Sequence, residues 1–282
     1  MLKYLSLLCV AFALLLTSCG SVPVTGRKQL NLVSNQEVLT LSLQQYDDFM
    51  KTAPKSTDKA NTAVVQTVGR NIANAVETYL KNNGYADELA SYAWEFNLVK
   101  SADVNAFCMP GGKIVVYEGI LPYTQNEIGL AVVLGHEVAH AVAKHANERM
   151  SQQMLTEYGT AAAGTVLGKA STGVQQAAAV ALGLGTQYGI LLPYSRKQEL
   201  EADKLGLIFM AMAGYDPSQA AAFWQRMSQQ GSSTPEFMST HPSDNTRIQQ
   251  IQKDLPEALK YYGKGTGTTN TGSAKTSSQW KF

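Results

Sequence analysis

The chain has 282 residues, 45% apolar and 16% charged, which fits one sizeable folded domain with appendages and excludes a disordered or fibrous chain. Its 23 basic and 22 acidic side chains nearly cancel, and only Lys3 precedes Cys19. That neutrality excludes nucleic acid as a partner, because such binding rests on a basic surface.

In chain order, Met1-Leu2-Lys3 and the apolar run Leu5 to Leu16 predict a signal peptide over residues 1–18, the run being too short to span a bilayer. It ends in Leu16-Thr17-Ser18-Cys19, which resembles the bacterial lipobox. The resemblance implies lipidation of Cys19 and a protein anchored to a membrane without spanning it. No acidic retention signal follows at Gly20-Ser21, so the expectation is a bacterial cell envelope, at the outer membrane and facing the periplasm. Cys9 leaves with the signal and Cys19 is lipidated, so Cys108 stands alone and no disulfide framework is expected.

Residues 19–34, with Pro23 and Gly26 and no apolar period, read as a lipidated tether. Ser34-Asn35-Gln36-Glu37 reads as a capping box that opens a helix to about residue 50. A second helix runs from about Asp58 to Leu80. A β region follows: 94–99, 104–108 and 113–117, the last two joined by a Pro110-Gly111-Gly112 turn. Thr124-Gln125-Asn126-Glu127 reads as another capping box, opening a long apolar helix that must be buried.

Residues 159–193, rich in Ala and Gly but interrupted by Lys169, Gln175 and Gln176, predict weakly packed helices and not a transmembrane hairpin. Helices over 195–213 and 217–229, a loop over 231–241 and a last helix over 243–259 complete a domain placed at 35–262. Residues 263–282 read as a disordered tail. The fold class expected is α+β and predominantly helical, with a small sheet beside the long apolar helix.

That helix carries His136-Glu137-Val138-Ala139-His140. Residues four apart lie about 40° apart on one helical face, so two imidazoles can grip one Zn²⁺ while Glu137 sits beside it as general base. Catalytic zinc takes three protein ligands and keeps one position open. The segment 195–203 offers the third: Glu199 and Asp203 share a face, so Glu199 is assigned to the metal and Asp203 to the outer N–H of a ligand histidine. Glu201 points the other way and reads as solvated. His145, five beyond His140, is about 140° round a continued helix and reads as facing away from the metal.

The HExxH helix followed by ExxxD resembles the M48 family of zinc peptidases, whose members include periplasmic and mitochondrial quality-control proteases. The resemblance implies a zincin-like, mostly helical domain, one zinc ion, and an endopeptidase acting on protein substrates. Val104-Asn105-Ala106-Phe107 resembles the family's strand before the catalytic helix. An edge of that strand offered to an extended substrate makes Asn105 and Ala106 the candidate substrate residues, and a structural role near the turn is the other reading of Asn105. His241-Pro242 with Arg247 resembles its C-terminal segment. Under that resemblance His241 either stabilises the oxyanion or fills zinc's fourth position, and Arg247 supports the ligands from behind. The expected function is cleavage of misfolded or misassembled cell-envelope proteins. The alternative is a membrane-anchored chaperone or assembly factor with a structural zinc, which the intact Glu137 disfavours because structural sites use four ligands and no base.

Overall fold

The computed structural model describes residues 19–161, 195–229, 236–241 and 245–263. The predicted signal peptide, the Ala/Gly-rich segment after residue 161 and the tail after residue 263 lie outside the described residues.

The chain opens with strands β1 (Cys19–Ser21) and β2 (Lys28–Leu30), paired antiparallel. Helix α1 (Asn35–Thr52) starts at Ser34, whose hydroxyl accepts from the Glu37 N–H while the Glu37 carboxylate accepts from the Ser34 N–H. Helix α2 (Lys59–Asn82) is capped by Asp58, which accepts from the Asn61 N–H at 2.9 Å. Its buried positions Val65, Val68, Ile72, Val76 and Leu80 recur at the spacing of one helical face.

Strands β3 (Glu95–Val99), β4 (Ala106–Met109) and β5 (Lys113–Tyr117) form a sheet in the order β3-β5-β4, with β3 parallel and β4 antiparallel to β5. The β4–β5 turn needs its glycines: Gly111 and Gly112 have φ of 93° and 78°, and a Cβ on Gly112 would lie 2.5 Å from the Trp94 ring. Alternate strand residues serve two cores. Phe96, Leu98, Ile114 and Val116 pack with α2, whereas Val99, Phe107 and Val115 pack with Tyr46 and Phe49 of α1. Burial on both faces explains why the strands alternate only partly in sequence.

A short helix α3 (Leu121–Thr124) ends at Gln125 with φ of 64°, and α4 (Glu127–Val142) follows. The cap of α4 is Asn126, which accepts from the Gly129 N–H at 3.0 Å, and not Thr124. Thr124 instead donates to the Leu121 carbonyl inside α3, so the expected capping box is misplaced by two residues. Every residue of α4 from Gly129 to Val142 is buried.

Helix α4 does not continue to His145. Ala143 caps it, Lys144 adopts a left-handed φ of 56° while its Nζ bonds Glu88 at 2.7 Å, and α5 (His145–Ala161) begins in a new direction. After the undescribed segment, α6 (Arg196–Met212) starts at a Ser195–Gln198 capping box. It crosses α4 with backbone against backbone. A Cβ on Gly135 would lie 2.9 Å from the Gly206 carbonyl oxygen, and one on Gly206 would lie 2.9 Å from the His136 nitrogen. Only glycines permit that distance.

Helix α7 (Ala220–Ser228) follows a single 3₁₀ turn begun by Asp216 and Pro217. The expected loop over 231–241 is helical over part of its length: α8 (Glu236–Thr240) is tied to the segment just before β4 by the Phe237 N–H donating to the Val104 carbonyl at 3.0 Å. Helix α9 (Asn245–Leu259) closes the described chain against α6 and α7. The result is a helical α+β domain. Among the described residues, no helix is long and apolar enough to cross a membrane.

The segment 19–34 is not the free tether expected from its composition. Val22 and Val33 are buried in the two cores, Gln29 is buried, and Arg27 bridges Glu148 and Glu201 at 2.7 and 2.6 Å. Isolated apolar residues and one arginine have no periodicity, yet the valines join the two cores and Arg27 finds partners 121 and 174 residues along the chain.

Candidate metal centre

His136 and His140 lie on α4 one turn apart, and both are buried. Their Nε2 atoms are 3.0 Å apart. From α6, Glu199 brings Oε1 to 3.4 Å from His140 Nε2 and Oε2 to 3.5 Å from His136 Nε2. His241, just after α8, places Nδ1 at 3.1 Å from both His136 Nε2 and Glu199 Oε1. These four residues offer ligand atoms that all lie within 4.8 Å of one another. Ligands about 2.0–2.1 Å from a tetrahedral zinc stand roughly 3.3 Å apart, so the spacing fits.

The surrounding hydrogen bonds give a second test of fit. His136 Nδ1 is 2.9 Å from Asp203 Oδ1, which accepts its proton. The lone pair of His136 Nε2 then faces the other donors, an arrangement that repels itself unless a cation sits among them. The charge states of His140 and Glu199 suit a metal too. Burial holds the His140 imidazole well below its ordinary pKa. Burial works upward on Glu199, but His241, Arg247 and His136 hold its carboxyl well below the usual range.

Arg247 of α9 braces this set from behind. Its Nε and Nη2 donate to Asp203 at 2.6 and 2.8 Å, its Nη1 stands 2.8 Å from Glu199 Oε2, and it donates to the His241 carbonyl at 3.2 Å. The guanidinium lies 3.7 Å over the Trp224 ring, which itself meets the His136 ring edge-on. Phe237 stacks on both Trp224 and His241. One arginine thus joins α6, α9 and the segment carrying His241.

Glu137 is buried beside the donors and does not belong to them. Its Oε1 has no hydrogen-bond partner among the described residues and lies 3.5 Å from His241 Nε2. Burial above all, then the Glu199 charge, pushes its pKa up to about 7, against the downward pull of His241 and Arg247.

Asn105 accepts from the Ala106 N–H at 2.8 Å, and both are buried at the start of β4. Strand β4 is the edge of its sheet among the described residues and packs against α4. Cys108, also on β4, is a buried free thiol. Cys19 opens β1, remote in sequence from every residue of the centre.

Two expectations are corrected. His145 is not turned away from the centre: its Nδ1 is 2.8 Å from His140 Nδ1. The 140° rotation assumed an unbroken helix, and the left-handed Lys144 breaks it. Glu201 is not solvated but buried, between His145 Nε2 at 3.0 Å and Arg27 Nε at 2.6 Å. No local signal could have paired Arg27 with Glu201 across 174 residues.

Two histidines from an HExxH helix and a glutamate from a second helix converge here on one point, with another glutamate held beside it. That defines a zinc metallopeptidase centre. The description of peptidase family M48 matches residues 65–255, and the chain belongs to that family. Its relatives include proteins named metalloendopeptidases. The Schizosaccharomyces pombe mitochondrial metalloendopeptidase OMA1 is 34% identical over 248 residues, covering 84% of this chain and 66% of that protein. Human mitochondrial metalloendopeptidase OMA1 is 30% identical over 249 residues, covering 84% and 46%. The beta-barrel assembly-enhancing protease of Escherichia coli K12 is 28% identical over 241 residues, covering 82% and 46%. The chain thus spans 66% or less of each of these three relatives.

These relatives overturn the expected bacterial outer-membrane address. Matches at 34 and 30% identity are mitochondrial proteins, and the bacterial E. coli protease follows at 28%.

Proposed function

We propose that this protein is a zinc endopeptidase that cleaves extended segments of misfolded or misassembled proteins, and that it rests with His241 in the fourth position of the metal. The observation that carries the reading is Glu137, a buried carboxylate whose Oε1 has no hydrogen-bond partner among the described residues, standing beside a complete donor set. A structural zinc site has no use for such a group, which speaks against a chaperone with a silent metal. The name of the E. coli relative, an assembly-enhancing protease, supports the substrate class.

His136, His140 and Glu199 would hold the zinc, and when bound it supplies Lewis-acid chemistry, acidifying water and polarising a carbonyl. Glu137 takes the proton of the attacking water and passes it to the departing amine nitrogen. Asp203 and Arg247 keep His136 and Glu199 in place. The edge of β4 from Asn105 and Ala106 onward pairs with an extended substrate backbone, which reads shape before side chains. His241 approaches both His136 and Glu199 at 3.1 Å, so it occupies the place a substrate needs and must swing out with α8.

Cleavage of unfolded casein tests both parts together. Wild-type activity is expected to vanish on chelation and return with Zn²⁺, and His241→Ala is expected to be several-fold faster. Cleavage that survives chelation would remove zinc from the mechanism. A loss of about 10²-fold or more in His241→Ala would instead make His241 a transition-state donor.

Membrane attachment through acylation of Cys19 rests on the Leu16-Thr17-Ser18-Cys19 segment. The intact mass of the protein beginning at Cys19 is expected to exceed the mass calculated from its residues by an acyl modification, and Cys19→Ser is expected to carry no acyl group; an unmodified mass in the wild type would end that reading.

A further inference from the structure

We infer that the N-terminal arm, residues 19–34, is a working part of the metal centre, because Arg27 and Thr25 position the zinc ligand His140 through Glu201 and His145. This rests on the metallopeptidase reading above and extends it to residues outside the ligand set.

The direction of each hydrogen bond is fixed by chemistry. Glu201 is a carboxylate and can only accept. Its Oε2 accepts from Arg27 Nε at 2.6 Å and from His145 Nε2 at 3.0 Å, while its Oε1 accepts from the Thr25 hydroxyl. With the proton on Nε2, a neutral His145 presents a lone pair at Nδ1. The partner there, His140 Nδ1 at 2.8 Å, must therefore be the donor. His140 Nε2 is left with its lone pair aimed at His136 Nε2 and Glu199, where the metal belongs. The chain of contacts thus selects the one tautomer of His140 that can bind zinc, and it fixes the ring plane as well.

The links from Arg27 inward are sheltered, while Thr25 at the outer end is exposed. His145 and Glu201 are buried, and Arg27 exposes 13% of its side chain. Arg27 is itself held by a second, bidentate pair, Nη1 and Nη2 to Glu148 at 2.9 and 2.7 Å. Glu148 also accepts from Gln198, the residue before Glu199, at 2.9 Å. Undocking the arm therefore loosens α5 and α6 at once, at the point where they meet the ligands. Ligand histidines commonly give their outer N–H directly to a carboxylate or carbonyl. In this centre His136 does so through Asp203, whereas His140 uses a second histidine as intermediary, and the arm supplies the cation at the far end.

The test uses the full-length protein. Zinc affinity is measured by chelator competition, and ligand geometry by the visible absorption of the Co²⁺-substituted protein. His145→Leu is expected to bind zinc about 10–100-fold more weakly and to shift the Co²⁺ bands. His145→Asn, which restores an acceptor near the Nδ1 position, is expected to recover part of both. Arg27→Met is expected to shift the bands in the same sense with a smaller affinity loss. Glu95→Gln, which disturbs the remote Tyr46–Glu95 contact, reports on general destabilisation and is expected to leave both readouts alone. Wild-type zinc affinity and Co²⁺ spectra in His145→Leu and Arg27→Met would overturn the inference. If His145→Leu does not fold, Arg27→Met and His145→Asn decide it. A wild-type protein that binds no zinc would instead remove the metallopeptidase reading.

Discussion

Glu137→Gln is expected to lower kcat/KM for peptide cleavage by about 10²–10⁴-fold while zinc stays bound and the fold keeps its stability. The amide is nearly isosteric and cannot take a proton from water. Zinc depends on His136, His140 and Glu199, none of which uses Glu137 as a hydrogen-bond partner, so metal content is unaffected. The stability expectation follows from sign. A carboxyl whose pKa is pushed up to about 7 by burial is one whose charged form the fold disfavours, so neutralising it removes a penalty at pH above that value. Cleavage kinetics, metal analysis and thermal melting on the same preparations check all three. Activity within tenfold of wild type would mean that another group takes the proton.

Arg247→Met is expected to destabilise the metal-free protein by about 3–5 kcal/mol, the range for breaking a buried ion pair from one side. The guanidinium meets Asp203 and Glu199 together, both buried, and Asp203 is otherwise bonded to His136, which is itself a ligand. Methionine fills much of the volume against Trp224, so the loss reports charge more than packing. Adding Asp203→Asn is expected to return part of the stability, because the partner charge left stranded is then gone. Denaturant unfolding of the single and double variants measures it. A loss below about 1 kcal/mol, as for an exposed pair, would mean that water reaches this network.

What the sequence disclosed of the centre was what a single helix turn can encode. His136 and His140 are read from spacing alone, and so is the shared face of Glu199 and Asp203, because an unbroken helix converts sequence distance into angle. The same rule misplaced His145, since Lys144 takes a left-handed conformation that resets the angle and nothing in the local sequence marks it. Thr124 and Asn126 are both good caps, and only the preceding turn of α3, which engages Thr124, decides between them. The arm was opaque for a different reason. Val22, Arg27 and Val33 are ordinary one by one, and nothing near Arg27 in sequence marks its partners Glu148 and Glu201, 121 and 174 residues away. The sheet was easier: its strands are short and apolar, and the Pro110-Gly111-Gly112 turn marks the hairpin.

Where Gly135 and Gly206 touch, main chain meets main chain with no side chain as spacer. The separation between the helix bearing two imidazoles and the helix bearing Glu199 is therefore a hard stop, set by atomic radii and not by a compressible core. Repacking elsewhere in the domain leaves this gauge unchanged, because nothing in it can be swapped for a larger or smaller group. A cation of different radius must be accommodated by torsions of Glu199 and the histidine rings, since the helices cannot close further. Size discrimination in this centre begins in two missing methyl groups.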